Sequence, residues 1–190
     1  MTTLREKKKQ KSYQTIYQTA LSLFEEHGFD KVSVAQIVKE SGIAKGTFFN
    51  YFPNKPDIIA QWFEENMSKA IEQPIPDDTS LQNKILFLAK NILEAAQKQP
   101  NLWQAKNAYA GQSVSIQQVE QRVDQTIQSK IEYFIKQTSI NQSAKAKILA
   151  ELIVTLMTGT IIEANRRGQS DDAMTLIEHK LSILLSLAEG

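Results

Sequence analysis

Six residues within eleven positions, Lys45, Gly46, Thr47, Asn50, Tyr51 and Lys55, have the chemistry to read a nucleic acid. A lysine donates to guanine O6 and N7 or to a phosphate, and threonine and asparagine read base edges. The methyl of Thr47 can meet a thymine methyl. Gly46 lets a backbone approach closely, and the Tyr51 hydroxyl can donate to a phosphate. Lys55 falls in the first turn of a helix, where free N–H groups and the dipole also favour a phosphate. Each residue alone is a weak signal. A lone lysine is ordinarily solvated, and a cluster such as Phe48, Phe49, Tyr51 and Phe52 is ordinarily core. Their order, after a capped helix and a glycine turn, is the informative part.

The elements that must position these residues are short helices. Ser33-Val-Ala-Gln36 is a capping-box pattern, which starts a helix with Val34, Ile37 and Val38 inward. That helix stops near Ser41-Gly42, a turn suited to a left-handed glycine. The next helix starts at about Lys45 and ends at Phe52, because Pro53 cannot continue the ladder. Phe48 and Phe52 lie one turn apart, so they share a face and pin a helix too short to be stable alone. Asn54 then caps a helix reaching about Gln73, with Pro56 in its first turn and Asp57 complementing its dipole. Ahead of all this, a helix over about 5–27 buries Ile16, Ala20, Leu23 and Phe24 and ends at Gly28.

The remainder reads as helical too. QPIPDDT, residues 73–79, is the strongest break. Helices follow at about 80–98, 102–111, 114–138, 143–167 and 171–188, punctuated by Pro100, Gly111, 138–141 and 168–170. The expected fold is all-α, with about nine helices. The last helix carries two apolar stripes: Met174, Ile177, Leu181, Leu184 and Ala188, and then Leu176, Ile183 and Leu187. The helix before it is similar, with Leu149, Leu152, Ile153, Leu156, Met157 and Ile161, and with Gly159 permitting close approach. Two such helices can bury one side in their own subunit and the other against a symmetric copy. Coverage of both stripes within the chain is the alternative.

Composition narrows the function classes. The 190-residue chain has no cysteine, which removes disulfides, thiol catalysis and thiolate metal sites. His27 and His179 stand apart, without a second ligand at metal spacing. No Gly-rich phosphate loop and no Ser/His/Asp motif is present, so neither an enzyme nor a cofactor is expected. No apolar run is long enough for a membrane span, and the basic start MTTLREKKKQ lacks the apolar segment of a signal peptide, so the expected location is the cytoplasm. Residues 1–55 carry nine Lys/Arg against five Asp/Glu, and residues 56–190 carry thirteen against sixteen. The basic end suggests a polyanion partner. Charge alone leaves a solvated tail equally open.

SVAQIVKESGIAKGTFFNYFPNKPDII, with ALSLFEEHGFDKVSV before it, resembles the amino-terminal DNA-binding domain of the TetR/AcrR family of transcriptional regulators. The likeness spans about residues 9–69, with the helix-turn-helix at about 32–52. It implies a helix-turn-helix DNA-binding domain over 1–55 and a ligand-binding and dimerisation domain over 56–190. It also implies a homodimer on a palindromic operator, most simply a repressor released by a small molecule. Carried over by position, the DNA contacts are Ser33, Ala44, Lys45, Gly46, Thr47, Phe49, Asn50, Tyr51 and Lys55. Phe49 departs from the family's frequent tyrosine and lacks its hydroxyl; Ala44 has no polar side chain. The resemblance places the dimer in the last two helices, with Leu152, Leu156, Gly159, Ile177, Leu181 and Leu184 as interface residues. It places an effector pocket among the middle helices, for which Trp62, Phe63, Phe87, Asn91, Trp103, Tyr109, Tyr133 and Phe134 are candidates. A helical enzyme, or an adaptor using the basic arm on other anions, is the competing reading.

Overall fold

A computed structural model describes residues 3–76, 79–139, 143–168 and 172–189. Parts of the expected breaks, at 77–78, 140–142 and 169–171, lie outside the described residues. Within them the chain is nine α-helices with no strand: α1 Leu4–His27, α2 Val34–Ser41, α3 Lys45–Tyr51, α4 Lys55–Ile71, α5 Leu81–Gln97, α6 Pro100–Tyr109, α7 Val114–Lys136, α8 Ser143–Arg166 and α9 Ala173–Glu189. The fold is all-α.

Local chemistry sets most of these ends. Thr3 and Glu6 form a full reciprocal capping box ahead of α1, a start the sequence reading did not notice. Gly28 closes α1 with φ 84°, its N–H bonded to the Phe24 carbonyl at 2.9 Å. Pro53 follows the last residue of the α3 ladder, and the Asp57 carboxylate accepts the Asn54 N–H at 2.8 Å as α4 begins. The buried stripe of α1 is Ile16, Tyr17, Ala20, Leu21 and Phe24; Leu23 sits at its edge, half-buried.

Contacts group the chain into two compact units. One holds residues 1–66 and 96–120, so it contains α1 to α3, most of α4, α6 and the start of α7. Its fully buried side chains include Ile16, Phe24, Ile37, Phe48, Ile58, Leu102 and Ile116. The other holds residues 67–95 and 121–190. There Met67, Ile85, Leu88 and Ile131 are fully buried, and α8 packs along α9 over Ala146, Ile153, Ile177 and Leu181. By contacts, 96–120 goes with the amino-terminal helices, because α6 packs on α1.

Candidate nucleic-acid interface

The α2–turn–α3 segment is built around one glycine and two phenylalanines. The Ser33 hydroxyl accepts the Gln36 N–H at 3.1 Å and starts α2. Gly42 takes φ 66°, ψ 16°, the left-handed conformation in which a side chain is strained. This lets α3 begin only three residues later. Phe48 is fully buried and Phe52 nearly so, with ring centroids 6.1 Å apart. They fix the rotation of α3, and the rotation decides what faces out.

Ser33, Ala44, Lys45, Gly46, Phe49 and Asn50 are exposed, and Thr47 is half-buried. Lys45 lies one turn from Phe49 and Gly46 one turn from Asn50, so the two pairs form adjoining rows of one exposed arc. Phe49 therefore points outward, 41% exposed, its ring edge-on to Phe48 at 5.3 Å. It offers an apolar contact and no donor. A Cβ added to Gly46 would meet no atom of this chain within 4 Å. Packing within the chain does not demand that glycine.

Two expected contacts are placed differently. The Tyr51 hydroxyl donates to the Lys9 carbonyl on α1 at 2.9 Å, so its proton is already engaged inside the protein. The Lys55 ammonium donates to the Phe29 and Val32 carbonyls at 2.8 and 3.0 Å and lies 4.0 Å from the centroid of the Phe29 ring. Burial pushes its pKa down, opposed by the nearby Asp30 carboxylate. Lys55 ties the start of α4 to the α1–α2 loop.

The reading from sequence missed the residues that brace this unit. Tyr13 stacks on Phe52 at 5.3 Å and on Tyr17 at 5.8 Å, and meets Tyr51 edge-on at 5.8 Å. The Tyr17 hydroxyl donates to Glu65 at 3.1 Å, and burial, with the Glu65 charge, raises its pKa. The four-residue spacing of Tyr13 and Tyr17 was a visible signal. At α6, the Glu25 carboxylate accepts the N–H groups of Leu102 at 3.2 Å and Asn101 at 3.5 Å, while Asn101 Nδ2 donates to the Glu25 carbonyl at 2.7 Å. Gln99, the residue at the cap of α6, makes no side-chain cap bond, so Glu25 supplies the missing acceptor from α1. At the other end of α6, Tyr109 donates to Asp30, and this bond raises its pKa first, burial second.

The eight candidate pocket residues divide between the two units, four in each. Trp62, Phe63 and Trp103 meet in the first unit, with centroids 6.4 and 5.6 Å from Trp103, and Trp62 Nε1 donates to Gln99 at 2.7 Å. Tyr109 sits apart from them against Phe29 and Asp30. Phe87, Asn91, Tyr133 and Phe134 belong to the second unit. Tyr133 is 60% exposed, which removes it from any enclosed wall. Asn91 Nδ2 is fully buried with no hydrogen-bond partner.

The interface residues also divide. Ile177 and Leu181 are fully buried between α8 and α9, so they are core of their own subunit and not a free surface. Leu152 and Gly159 are exposed, and Leu156 and Leu184 half-buried. With Ile148, Ile162, Leu176, Ile183 and Leu187 they leave an apolar face uncovered. The two stripes are thus one inner and one outer. Among the described residues no group of three or more His, Cys, Asp or Glu could hold a metal ion, and no helix is long and apolar enough to cross a membrane.

Residues 16–61 match the sequence profile of the family described as bacterial regulatory proteins, tetR family. Those residues are similar to a TetR-family domain. A fatty acid metabolism regulator protein of Bacillus subtilis (strain 168) is 37% identical over 67 residues, 35% of this chain and 34% of that protein. The uncharacterized HTH-type transcriptional regulator YvdT of the same organism is 38% identical over 61 residues, 32% of this chain and 31% of that one. The chain spans about a third of the length of these curated relatives. The crystal structure of Thermus thermophilus FadR, a TetR-family transcriptional repressor in complex with lauroyl-CoA, superimposes with a TM-score of 0.72 at 16% identity, covering 91% of this chain and 93% of that one. That likeness extends the shared fold beyond the TetR-family domain to nearly the whole chain.

Proposed function

We propose that this protein is a sequence-specific DNA-binding transcriptional regulator, a repressor released from its operator by a small molecule. The observation that carries this reading is the outward face of α3. Lys45, Gly46, Phe49 and Asn50 are solvent-facing on a helix whose other side is buried by Phe48 and Phe52. Lys45 reads guanine or a phosphate, Asn50 and Thr47 read base edges, and Phe49 gives an apolar contact to a thymine methyl or a sugar. Gly46 lets the helix approach closely. Ser33 and the backbone at Ala44 position the element on phosphates. Residues 1–55 read DNA, and 56–190 bind the effector and dimerise.

The exposed Leu152 and Gly159, with the half-buried Leu156 and Leu184 beside them, support a homodimer, since an apolar face of this kind is uncommon on a monomer. Such a dimer would present two copies of α3 to a palindromic site. The buried, unpartnered Asn91 Nδ2 supports an effector bearing an acceptor oxygen, for a donor left unpaired costs about 1–3 kcal/mol. Lauroyl-CoA, bound by the Thermus FadR, is the first effector to try.

Selection from random duplexes tests the reading. Enrichment of an inverted repeat, bound at least ~1000-fold more tightly than random sequence at one fixed salt, is the expected result. Equal affinity for all duplexes at every salt would refute sequence-specific regulation and favour a nonspecific basic arm.

A further inference from the structure

The bonds made by Tyr51 and Lys55 raise a question about the DNA interface: which cation stands beside the recognition helix? The basic run of Arg5, Lys7, Lys8, Lys9 and Lys11 occupies the first two turns of α1, all exposed. These five do not face the same way. At 100° per residue, Lys9 lies about 20° from Ile16 and 40° from Tyr13, on the side of α1 that meets α3. Lys11 lies about 160° from Tyr13, on the far side. Tyr51, the last residue of α3, bonds the carbonyl of Lys9 itself at 2.9 Å. An open cleft of about 520 Å³ exists elsewhere in this unit, but a smaller one, about 320 Å³, is lined by Glu6, Lys9, Gln10, Tyr13 and Tyr51. Lys9 and the end of the recognition helix therefore share one surface depression.

Resting on the DNA-binding reading above, we propose that this cleft is a phosphate subsite of the operator interface, with the Lys9 ammonium as its cation and Tyr51 as the positioning residue. Gln10 adds an amide donor at the rim. Glu6 is the one carboxylate in the cleft. Its Oε2 accepts from the Thr3 N–H at 2.7 Å and hydroxyl at 3.0 Å, so the charged carboxylate is turned to the helix cap and engaged there. The Tyr51–Lys9 bond ties the end of α3 to the Lys9 backbone, so a phosphate held by Lys9 is bound beside the recognition helix whatever the base sequence. Lys9 thereby adds a cation beside α3 whose ammonium is not held by the bonds that engage the Tyr51 hydroxyl and the Lys55 ammonium.

The test is salt-titrated binding of the full chain to its selected duplex and to random duplex, read by fluorescence anisotropy. Lys9→Ala is expected to weaken both equally and to reduce the slope of log K against log salt by about 0.9 per half-site. Lys11→Ala, the same charge change on the far side of α1, is expected to leave the slope within error. Tyr51→Phe keeps the ring against Tyr13 and loses the tether. It should lower the slope in the same direction, with no further change in a Lys9→Ala background. An unchanged slope for Lys9→Ala, an equal effect from Lys11→Ala, or additive effects of Lys9→Ala and Tyr51→Phe would each overturn the subsite while leaving the proposed function intact. A wild-type chain that binds no DNA would overturn both.

Discussion

Lys106 is 8% exposed, and its surroundings make an asymmetric prediction about stability. Its ammonium pairs with Glu120 at the start of α7. It lies 4.6 Å from the Phe63 ring centroid and 5.3 Å from that of Trp103, with Asn107 Oδ1 at 3.4 Å. Glu120 is more accessible than its partner, with a side chain 30% exposed. Glu120→Ala leaves a buried ammonium with only two rings and a long amide contact. Breaking one half of a buried pair costs about 3–5 kcal/mol. Water can enter where the partly exposed carboxylate stood, so the low end, about 3 kcal/mol, is expected. Lys106→Met is different. The thioether fills the same space, gains sulfur–ring contacts of about 0.3–1.5 kcal/mol, and releases Glu120 to solvent. Its net effect should lie within about 1 kcal/mol of wild type, because replacing a buried pair by apolar groups is often neutral. Both tryptophans, Trp62 and Trp103, lie in this unit, so urea unfolding followed by intrinsic fluorescence reports on it directly. With a slope of about 1–3 kcal/mol per molar urea, Glu120→Ala should lower the midpoint by about 1–3 M. A Lys106→Met variant as destabilised as Glu120→Ala would refute the reasoning, since it would show that the pair contributes net stability beyond its own desolvation.

Three further outcomes follow from the geometry. Glu25→Ala should destabilise the first unit by about 1–2 kcal/mol, the loss of a cap and of its charge at a helix N-terminus, with Glu25→Gln costing less; equal costs in urea unfolding would mean that the charge plays no part. The Thr3 backbone and hydroxyl hold the Glu6 carboxyl below its ordinary 4.5, so its contribution is full above that pH and is lost as pH falls through the lower folded value. Protection of the amides at residues 4–7, as the intrinsic exchange rate over the observed one, should fall across that acid window in wild type and stay level in Glu6→Gln. Leu152→Glu, on the exposed stripe, should give a folded monomer by light scattering, whereas Leu181→Glu puts a charge into the α8–α9 core and should lose helix content as well; a Leu152→Glu chain that stays dimeric would move the interface elsewhere.

What the sequence disclosed, and what it did not, divides by distance along the chain. Helix limits were legible because a residue within one turn sets each of them: Gly28 ends α1, Ser33 starts α2, Gly42 turns the chain and Pro53 stops α3. Phe48 and Phe52 were legible as anchors because their spacing alone puts them on one face. The placements that changed depend on partners far away. Tyr51 bonds a carbonyl 42 residues back, and Lys55 bonds two that are 26 and 23 residues back. Glu25 caps a helix 77 residues on. Periodicity holds no information about such pairs, so it names donors without saying whether they are already engaged. The stripes of α9 show the same limit. A repeat of three and four reveals two apolar faces, but only packing against α8 makes Ile177 and Leu181 the inner one. In the recognition element the consequence is functional. Residue type suggested Tyr51 and Lys55 as phosphate contacts, and the fold shows that both also brace α3 and α4 through bonds to distant carbonyls. Lys9 enters the proposal for the same reason: Tyr51 is bonded to its backbone carbonyl, a pairing that no local spacing displays.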